Sequence, residues 1–211
     1  NMGEKILNTA IITVCSLILS TVICLMSAYA FTRYSGKGLT LVYAAIVASA
    51  LIPGIVTARP LYDLMKQFGL IDTFPGLVIM YTSALIPFTM LILGNFLSEI
   101  PVSMDEAAEI DGANRRQKFR YVTLPMLTPT IFMVVVLSMI SYIQCFDEPY
   151  VLTQGGPGIS TTTVSLYIYR NFQAQNISYA SILSVFLFVI IMIVTIIQFK
   201  ISDKWVNYDT E

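Results

Sequence analysis

Five long stretches of the chain carry no charged side chain, and they constrain its fold more than any other feature. The runs lie between Lys5 and Arg33, Lys37 and Arg59, Asp72 and Glu99, Arg120 and Asp147, and Arg170 and Lys200, and they hold 27, 21, 26, 26 and 29 residues. A hydrocarbon core about 30 Å thick needs about 20 helical residues at about 1.5 Å per residue. Each run therefore predicts a membrane-spanning helix.

The predicted spans are A (6–32), B (39–58), C (74–97), D (126–146) and E (178–199). They indicate an all-α, polytopic membrane helix bundle that forms a single domain over residues 1–211. A further uncharged run, 149–169, contains Gly155, Gly156, Pro157 and Gly158. We interpret this run as a loop, because an isolated helix in lipid could not carry these residues without exposing backbone groups.

Span A also has to be compared with a secretory signal peptide, because Ala28-Tyr29-Ala30 has the small residues of a cleavage site. The apolar part of a signal peptide is about 7–15 residues long, whereas Ile6 to Met26 already has the length of a span, which favours a retained helix. Because the chain begins with Asn1 instead of Met, we also expect that residues preceded it and that a sixth span is missing at the N-terminus.

The positive charges predict an orientation. If the A–B link, the C–D link and the C-terminus share one side, that side holds eight of the twelve Lys and Arg residues, namely Arg33, Lys37, Arg115, Arg116, Lys118, Arg120, Lys200 and Lys204. Since cytoplasmic loops carry the excess of Lys and Arg, this side is expected to be cytoplasmic, with Asn1 outside and Glu211 inside.

Composition excludes several classes of function. Charged residues are 12% of the chain, against roughly 25% in globular proteins. There is no His, and the three Cys lie in apolar stretches, so a metal site, a His general base and a disulfide framework have little support. A net charge of -1 gives no basic field for nucleic acid. The chain also lacks a G-x-x-x-x-G-K-[ST] phosphate loop, so ATP has to be bound elsewhere.

The link between spans B and C predicts a short amphipathic helix. Its apolar residues Leu61, Leu64, Met65 and Phe68 have i, i+3, i+4, i+7 spacing, and Gly69 follows where a helix can stop. The helix is interpreted as a cap over the bundle at the membrane surface, although a binding role stays open.

The C–D link, 99–125, is the most informative segment. Ser103 and Glu106 have capping-box spacing and predict the start of a helix, which Gly112 ends. Asn114 can cap a second, basic helix that Pro125 is expected to end. The alternative is an ordinary solvated loop.

Residues 106–125 read EAAEIDGANRRQKFRYVTLP. The spacing of Glu106-Ala107-Ala108, Gly112 and Val122-Thr123-Leu124-Pro125 resembles the EAA signature of permease subunits of binding-protein-dependent ABC importers, apart from Val122, where the family prefers Ile. The resemblance implies that this loop is the coupling helix that docks on an ATP-binding subunit. The implied coupling residues are Glu106, Ala107, Ala108, Asp111 and Gly112.

Three other segments narrow the resemblance to carbohydrate importers. Residues 27–38 and 51–73 are similar to the smaller, maltose-type inner-membrane permease, and residues 146–161 to its partner permease. The resemblance implies a bacterial inner-membrane protein, usually of six spans. Its implied partners are a second permease, two ATP-binding subunits that bind ATP and Mg²⁺, and an extracytoplasmic sugar-binding protein, with no cofactor in this chain.

Polar residues within spans C and D are candidates for the pathway of a neutral, hydroxyl-rich solute. They are Tyr81, Thr82, Ser83 and Asn95 on span C, and Ser141, Tyr142 and Gln144 on span D. The alternative for each is a hydrogen bond to a neighbouring helix.

Prolines and glycines mark other candidate sites. Pro53-Gly54, Pro87 and Pro129 predict bends in spans B, C and D, which are either packing kinks or hinges. Gly155, Gly156 and Pro157 mark an external loop that either reaches a binding protein or only connects two helices.

Two other functions are alternatives to an ABC importer permease. An ion-coupled secondary carrier or channel for a small polar solute is disfavoured because the spans lack ionisable groups, although Na⁺ can be held by carbonyls and hydroxyls. A membrane enzyme is disfavoured because no catalytic constellation is recognisable.

Overall fold

The computed structural model describes residues 2–34, 36–155 and 161–206, and within them all regular structure is helical. The α-helices are α1 (Met2–Arg33), α2 (Lys37–Ser49), α3 (Gly54–Gln67), α4 (Phe74–Glu99), α5 (Val102–Ile110), α6 (Arg115–Lys118), α7 (Leu124–Met126), α8 (Thr128–Gln144), α9 (Val164–Gln173) and α10 (Ile177–Ser202). π-Helical turns occupy Phe119–Thr123 and Pro149–Thr153.

Four helical segments of the described residues are long and apolar enough to cross a membrane. They are Gly3–Arg33, Phe74–Glu99, Thr128–Val151 and Ile177–Ser202. Spans A, C, D and E are thus confirmed as long apolar helices whose ends differ by a few residues from the predicted ones.

Span B does not form one continuous helix over 39–58, which corrects that prediction. Helix α2 ends at Ser49, and α3 begins only at Gly54. Pro53 has an extended backbone, with φ -56° and ψ 134°. It lacks an N–H and disfavours helical backbone at the preceding residue, so the helix breaks here. With 13 residues, α2 is about 20 Å long, which is short of a hydrocarbon core.

The core of the bundle is the contact of α1 with α4. Buried small or polar side chains recur every three or four residues along α1, at Thr9, Thr13, Ser16, Ser20, Cys24 and Ala28. Cys24 and Ala28 belong to one buried cluster with Leu93 and Leu97 of α4 and Ile131 of α8. Small side chains let helix backbones approach closely in lipid, which explains why this face of α1 is the buried one.

Helix α10 covers one side of this core. It packs through Leu187 and Ile191 against Ile143 of α8 and Val164 of α9. Most of its other apolar side chains are exposed, which is the pattern of a helix that faces lipid or another membrane helix.

The helix termini sort to two ends of the bundle. At one end, Arg33 at the end of α1 pairs with Asp105 of α5, and Phe132 near the start of α8 contacts Trp205 just after α10. At the opposite end, the ammonium of Lys5 lies 4.1 Å from the ring centre of Tyr167 on α9. The predicted grouping of the A–B link, the C–D link and the C-terminal end of span E on one side therefore holds in the structure.

The region predicted as a loop, 149–169, is partly helical. The turn Pro149–Thr153 follows α8 after a break at Cys145, whose backbone is extended (φ -61°, ψ 131°), and α9 begins at Val164. Gly155, Gly156, Pro157 and Gly158 are consecutive in the sequence, and beyond them Thr163 caps α9 by accepting a hydrogen bond from the Leu166 N–H at 3.3 Å. The interpretation of this charge-free run as a loop therefore missed a short helix, α9.

The predicted amphipathic helix between spans B and C is the second half of α3. Leu61 and Met65 pack into a buried cluster, whereas Leu64 and Phe68 are exposed. Gly69 has φ +66° and follows the helix end, as predicted. This helix therefore caps the bundle with only half of its apolar stripe.

Candidate functional site

The loop between α4 and α8 forms two short helices joined by a tight turn. The Gly112 N–H donates to the Glu109 carbonyl at 3.0 Å, and the Ala113 N–H donates to the Ala108 carbonyl at 2.9 Å. This is a Schellman ending, in which the residue after the cap adopts left-handed backbone. Gly112 has φ +84°, and a Cβ at this position would meet no atom within 4 Å. Backbone angle, not space, therefore requires glycine here.

The starts of the two helices follow different rules. The predicted capping box of Ser103 and Glu106 is wrong, because α5 begins at Val102 with Pro101 as its N-cap and no side-chain cap hydrogen bond. The predicted Asn114 cap is confirmed. The Asn114 side chain accepts from the Gln117 N–H at 3.0 Å, and the Gln117 side chain accepts from the Asn114 N–H at 2.8 Å.

Pro125 does not end the second helix, contrary to the prediction. Helical backbone continues through the π-helical turn, in which the Leu124 N–H donates to the Phe119 carbonyl, and then through α7 to Met126. In a regular α-helix the proline ring would clash with the carbonyl four residues earlier, at Tyr121. A wider turn at this point accommodates the ring.

The predicted coupling residues lie on the open surface of this loop. Glu106, Ala107, Asp111 and Gly112 are exposed, and Ala108 is half-buried. The sequence interpretation missed Ile110 beside them, which is 87% exposed. A large apolar side chain within an acidic helix was the signal that could have identified it.

Three contacts hold the loop against the end of α1, and sequence reasoning anticipated none of them. The Arg33 guanidinium lies 3.0 Å from the Asp105 carboxylate. The Arg115 guanidinium lies 5.4 Å from the ring centre of Tyr34, and the rings of Tyr29 and Phe119 meet edge to face at 4.9 Å. An ion pair, a cation–π contact and an aromatic pair therefore hold the loop against the bundle.

An exposed ion pair braces the two loop helices against each other. The Lys118 ammonium donates to the Glu109 carboxylate at 2.7 Å. This hydrogen bond, assisted by the charge of Lys118, holds the pKa of the Glu109 carboxyl below its usual range and raises the pKa of Lys118. Both groups are therefore charged throughout the neutral pH range.

The predicted pathway residues do not gather at one place within this chain. Tyr81 and Tyr142 are buried, with their rings 5.9 Å apart. Asn95, Ser141 and Gln144 are exposed. Asn95 is 14 residues from Tyr81 along α4, which is about 21 Å of helix.

A cleft of about 770 Å³ opens between the α2–α3 break, the middle of α4 and residues 147–151. Pro87 and Phe88 of α4 line it, together with Ser83 and the carboxylate side chains of Asp147 and Glu148. Pro87 lies inside α4, so the predicted proline position sits at the wall of this cleft. Of the residues predicted for the pathway, Ser83 is the one that lines it.

The base of the loop predicted to be external is held by threonine side chains. The Thr161 hydroxyl donates to the Thr153 hydroxyl at 2.9 Å, and the Thr162 hydroxyl donates to the Gly155 carbonyl at 3.2 Å. Gly155 is buried with φ +78°, and a Cβ there would lie 2.5 Å from the Thr162 hydroxyl oxygen. The other two predicted loop residues, Gly156 and Pro157, lie outside the described residues.

Comparison with known proteins gives the family of this chain. Residues 20–208 match the family described as binding-protein-dependent transport system inner membrane component. The diacetylchitobiose uptake system permease protein NgcG of Streptomyces coelicolor is 32% identical over 173 residues, covering 78% of this chain and 57% of that protein. The trehalose/maltose transport system permease protein MalF of Thermococcus litoralis is 36% identical over 132 residues, covering 63% and 45%. The chain spans about half the length of these curated relatives.

A solved structure shares the fold. It is a bacterial ABC transporter involved in the import of the acidic polysaccharide alginate, with a TM-score of 0.80 and 20% identity, covering 95% of this chain and 78% of that one. The match to the family covers most of the chain, and the long apolar helices agree with an integral membrane protein. The chain therefore belongs to the family of inner membrane components of binding-protein-dependent transport systems.

Proposed function

We propose that this chain is the transmembrane permease subunit of an ATP-driven sugar importer. It forms half of the translocation pathway, and a second permease subunit forms the other half. Two ATP-binding subunits, which bind ATP and Mg²⁺, supply the energy, and an extracytoplasmic binding protein delivers the sugar. The chain itself catalyses no reaction, and its C-terminus lies in the cytoplasm.

One observation carries this proposal: the loop of α5 and α6 presents an exposed surface and is joined directly to long membrane helices. Glu106, Ala107, Ala108, Asp111 and Gly112 form this surface with Ile110. Only Ile100 and Pro101 separate α4 from α5. A soluble subunit that binds the loop therefore acts on α4 and α8 over a short distance.

The transport cycle follows from this attachment. ATP binding closes the two ATP-binding subunits on each other and draws the coupling loops of the two permeases together. That movement turns the pathway outward, where the binding protein releases its sugar. Hydrolysis of ATP then lets the pathway return to face the cytoplasm. The loop around Gly155, Gly156 and Pro157 is the proposed contact for the binding protein.

A sugar substrate is supported by the relatives and by the cleft. NgcG is described as a diacetylchitobiose uptake permease and MalF as a trehalose/maltose permease. The cleft combines the hydroxyl of Ser83 and two carboxylates with the apolar face of Phe88, and such groups suit a ligand with hydroxyl groups on an apolar ring. Asn95, Ser141 and Gln144 are further proposed liners of the pathway, and so are Tyr81 and Tyr142, which are buried in this chain.

The coupling role can be tested at Gly112. The chain is expressed with its ATP-binding and second permease subunits, and sugar-stimulated ATP hydrolysis and uptake are measured in proteoliposomes. Gly112→Val forces a β-branched residue into left-handed backbone, so we expect at least a tenfold loss of sugar-stimulated hydrolysis while the chain remains in the membrane. Gly112→Asn is the matched control, because Asn tolerates this backbone region, and it should retain most of the activity.

The two variants separate a coupling turn from a simple connector. If Gly112→Val assembles and transports sugar like the wild type, the loop does not couple the chain to ATP hydrolysis. If the wild-type complex takes up sugar without ATP in response to an ion gradient, the chain is an ion-coupled carrier and the proposal is wrong.

A further inference from the structure

Arg33 joins three helix ends through one side chain. It is the last residue of α1, and its guanidinium lies 3.0 Å from the carboxylate of Asp105 in the first turn of α5. Both terminal nitrogens of the guanidinium also lie 3.4 Å from the carbonyl oxygen of Ile100, the residue that ends α4. One planar group therefore contacts α4 and α5 at once, from the end of α1.

The pair is largely shielded from water. The side chains of Arg33 and Asp105 are 11% and 13% exposed, whereas those of another Arg–Asp pair, Arg59 and Asp63, are 81% and 54% exposed. An exposed pair of this kind contributes little, because water and salt screen it. A shielded pair is different, since removal of one partner leaves a charge without compensation.

The joint that this pair spans has no helical backbone. Between α4 and α5 the backbone is extended at Ile100 (φ -69°, ψ 118°) and at Pro101 (φ -60°, ψ 133°). No helical hydrogen bond crosses such a joint, so the covalent link transmits a pull along the chain but does not by itself set the angle of α5. The contacts of Arg33 with Asp105 and with the Ile100 carbonyl act on the joint itself and add to the aromatic contacts of the second loop helix.

We propose that Arg33 is a positioning residue that fastens coupling helix α5 to the ends of α1 and α4, so that displacement of α5 moves both membrane helices as one body. Helix α1 is suited to this role because its buried stripe, from Thr9 to Ala28, packs along α4. The inference rests on the proposed function, since it assigns the route by which movement of the coupling loop enters the membrane.

The test measures how much sugar is imported per ATP hydrolysed by the whole complex in proteoliposomes. The double variant Arg33→Met with Asp105→Leu replaces the ion pair by apolar side chains, which preserves packing without leaving a buried charge. We expect it to assemble and hydrolyse ATP, with the ratio of sugar to ATP at least tenfold lower. The matched control is Arg59→Gln, which breaks the exposed pair and should keep the ratio within twofold of the wild type.

A second variant covers the case in which the double variant does not assemble. Arg33→Lys keeps the positive charge, but a compact ammonium cannot reproduce the planar contact with both Asp105 and Ile100. Its ratio should fall severalfold in an assembled complex.

A wild-type ratio in the double variant, or in Arg33→Lys where the double variant does not assemble, overturns the positioning role. Failure of the proposed function looks different, because the wild-type complex itself would then show no ATP-dependent sugar uptake.

Discussion

Ile110 is the most exposed large apolar side chain on the proposed coupling surface of α5 and the turn at Gly112. It is 87% exposed at the end of α5, among acidic neighbours. Burial of an Ile side chain stabilises by about 1.5–3 kcal/mol, so its cover by an ATP-binding subunit would contribute a large part of the docking energy. We expect Ile110→Ser to weaken binding of that subunit roughly tenfold or more, measured by titration of the purified ATP-binding subunit onto the permeases in nanodiscs.

The control for this measurement is Leu51→Ser. Leu51 is 86% exposed but lies in the break between α2 and α3, away from the coupling loop. Its replacement should leave binding of the ATP-binding subunit unchanged. Equal affinities for the Ile110→Ser and wild-type proteins would show that the subunit docks without this side chain.

At the scale of elements, α2 packs closely against α4 where the Tyr43 side chain meets Gly94. A Cβ on Gly94 would overlap the hydroxyl of Tyr43 and lie 3.0 Å from the ring carbon that bears it. Gly94→Ala therefore has to displace the Tyr43 side chain or push α2 away from α4, and overpacking of this kind costs about 1–3 kcal/mol. We expect a lower temperature of thermal unfolding in detergent, by several degrees.

Two further variants identify the cause of that loss. Tyr43→Phe combined with Gly94→Ala removes the nearest atom, so it should recover part of the lost stability. Gly38→Ala, also on α2, adds a methyl group that meets no atom within 4 Å and should have no measurable cost. If Gly38→Ala destabilised the protein as much as Gly94→Ala, the contact between Gly94 and Tyr43 would not be the reason.

The elements that could be predicted from the sequence are those specified by local signals. Long charge-free runs predicted α1, α4, α8 and α10, because helix length in a membrane follows from bilayer thickness alone. Gly112 and Asn114 predicted the coupling turn, because left-handed backbone and a side-chain cap each need particular residues. These signals act within a few residues and so are visible in the sequence itself.

Other features depended on contacts that local signals do not contain. Arg33 and Asp105 are 72 positions apart, and no sequence signal near either residue identifies the other as its partner. Ser103 has capping-box spacing with Glu106, but Pro101 starts the helix earlier and places Ser103 inside it. The break at Pro53 was visible as a bend, yet whether a bend becomes a full interruption depends on what α2 and α3 pack against. Tertiary contacts decided these cases.

At the scale of the whole molecule, the length of α1 gives the distance between the loop of α5 and α6 at one end of the bundle and α9 at the other. Asp105 contacts Arg33, and Tyr167 contacts Lys5, which is 28 residues earlier on the same helix. At about 1.5 Å per residue these contacts are about 42 Å apart, more than the thickness of a hydrocarbon core of about 30 Å. Because α1 is long and apolar enough to cross the membrane, we expect the loop of α5 and α6 and helix α9 to lie on opposite sides of it, whichever side each one faces.

The charge distribution predicts which side that is, and cysteine labelling can test it. In a protein whose Cys15, Cys24 and Cys145 are replaced by Ser, Arg116→Cys places a thiol on the coupling loop and Ala174→Cys places one at the end of α9. Both positions are exposed. Because cytoplasmic loops carry the excess of Lys and Arg, a membrane-impermeant maleimide should label Ala174→Cys on intact cells or spheroplasts, and Arg116→Cys only after permeabilisation.

Each other outcome of this labelling has a distinct physical meaning. The reversed pattern would mean that the Lys and Arg residues of this chain do not set its orientation, and the coupling loop could not then meet a cytoplasmic ATP-binding subunit. Labelling of both positions from the outside would mean that α1 does not cross the membrane, against its 31-residue apolar length. The expected pattern leaves the exposed face of α5, with Ile110 and Glu106, as the surface that a cytoplasmic ATP-binding subunit can reach.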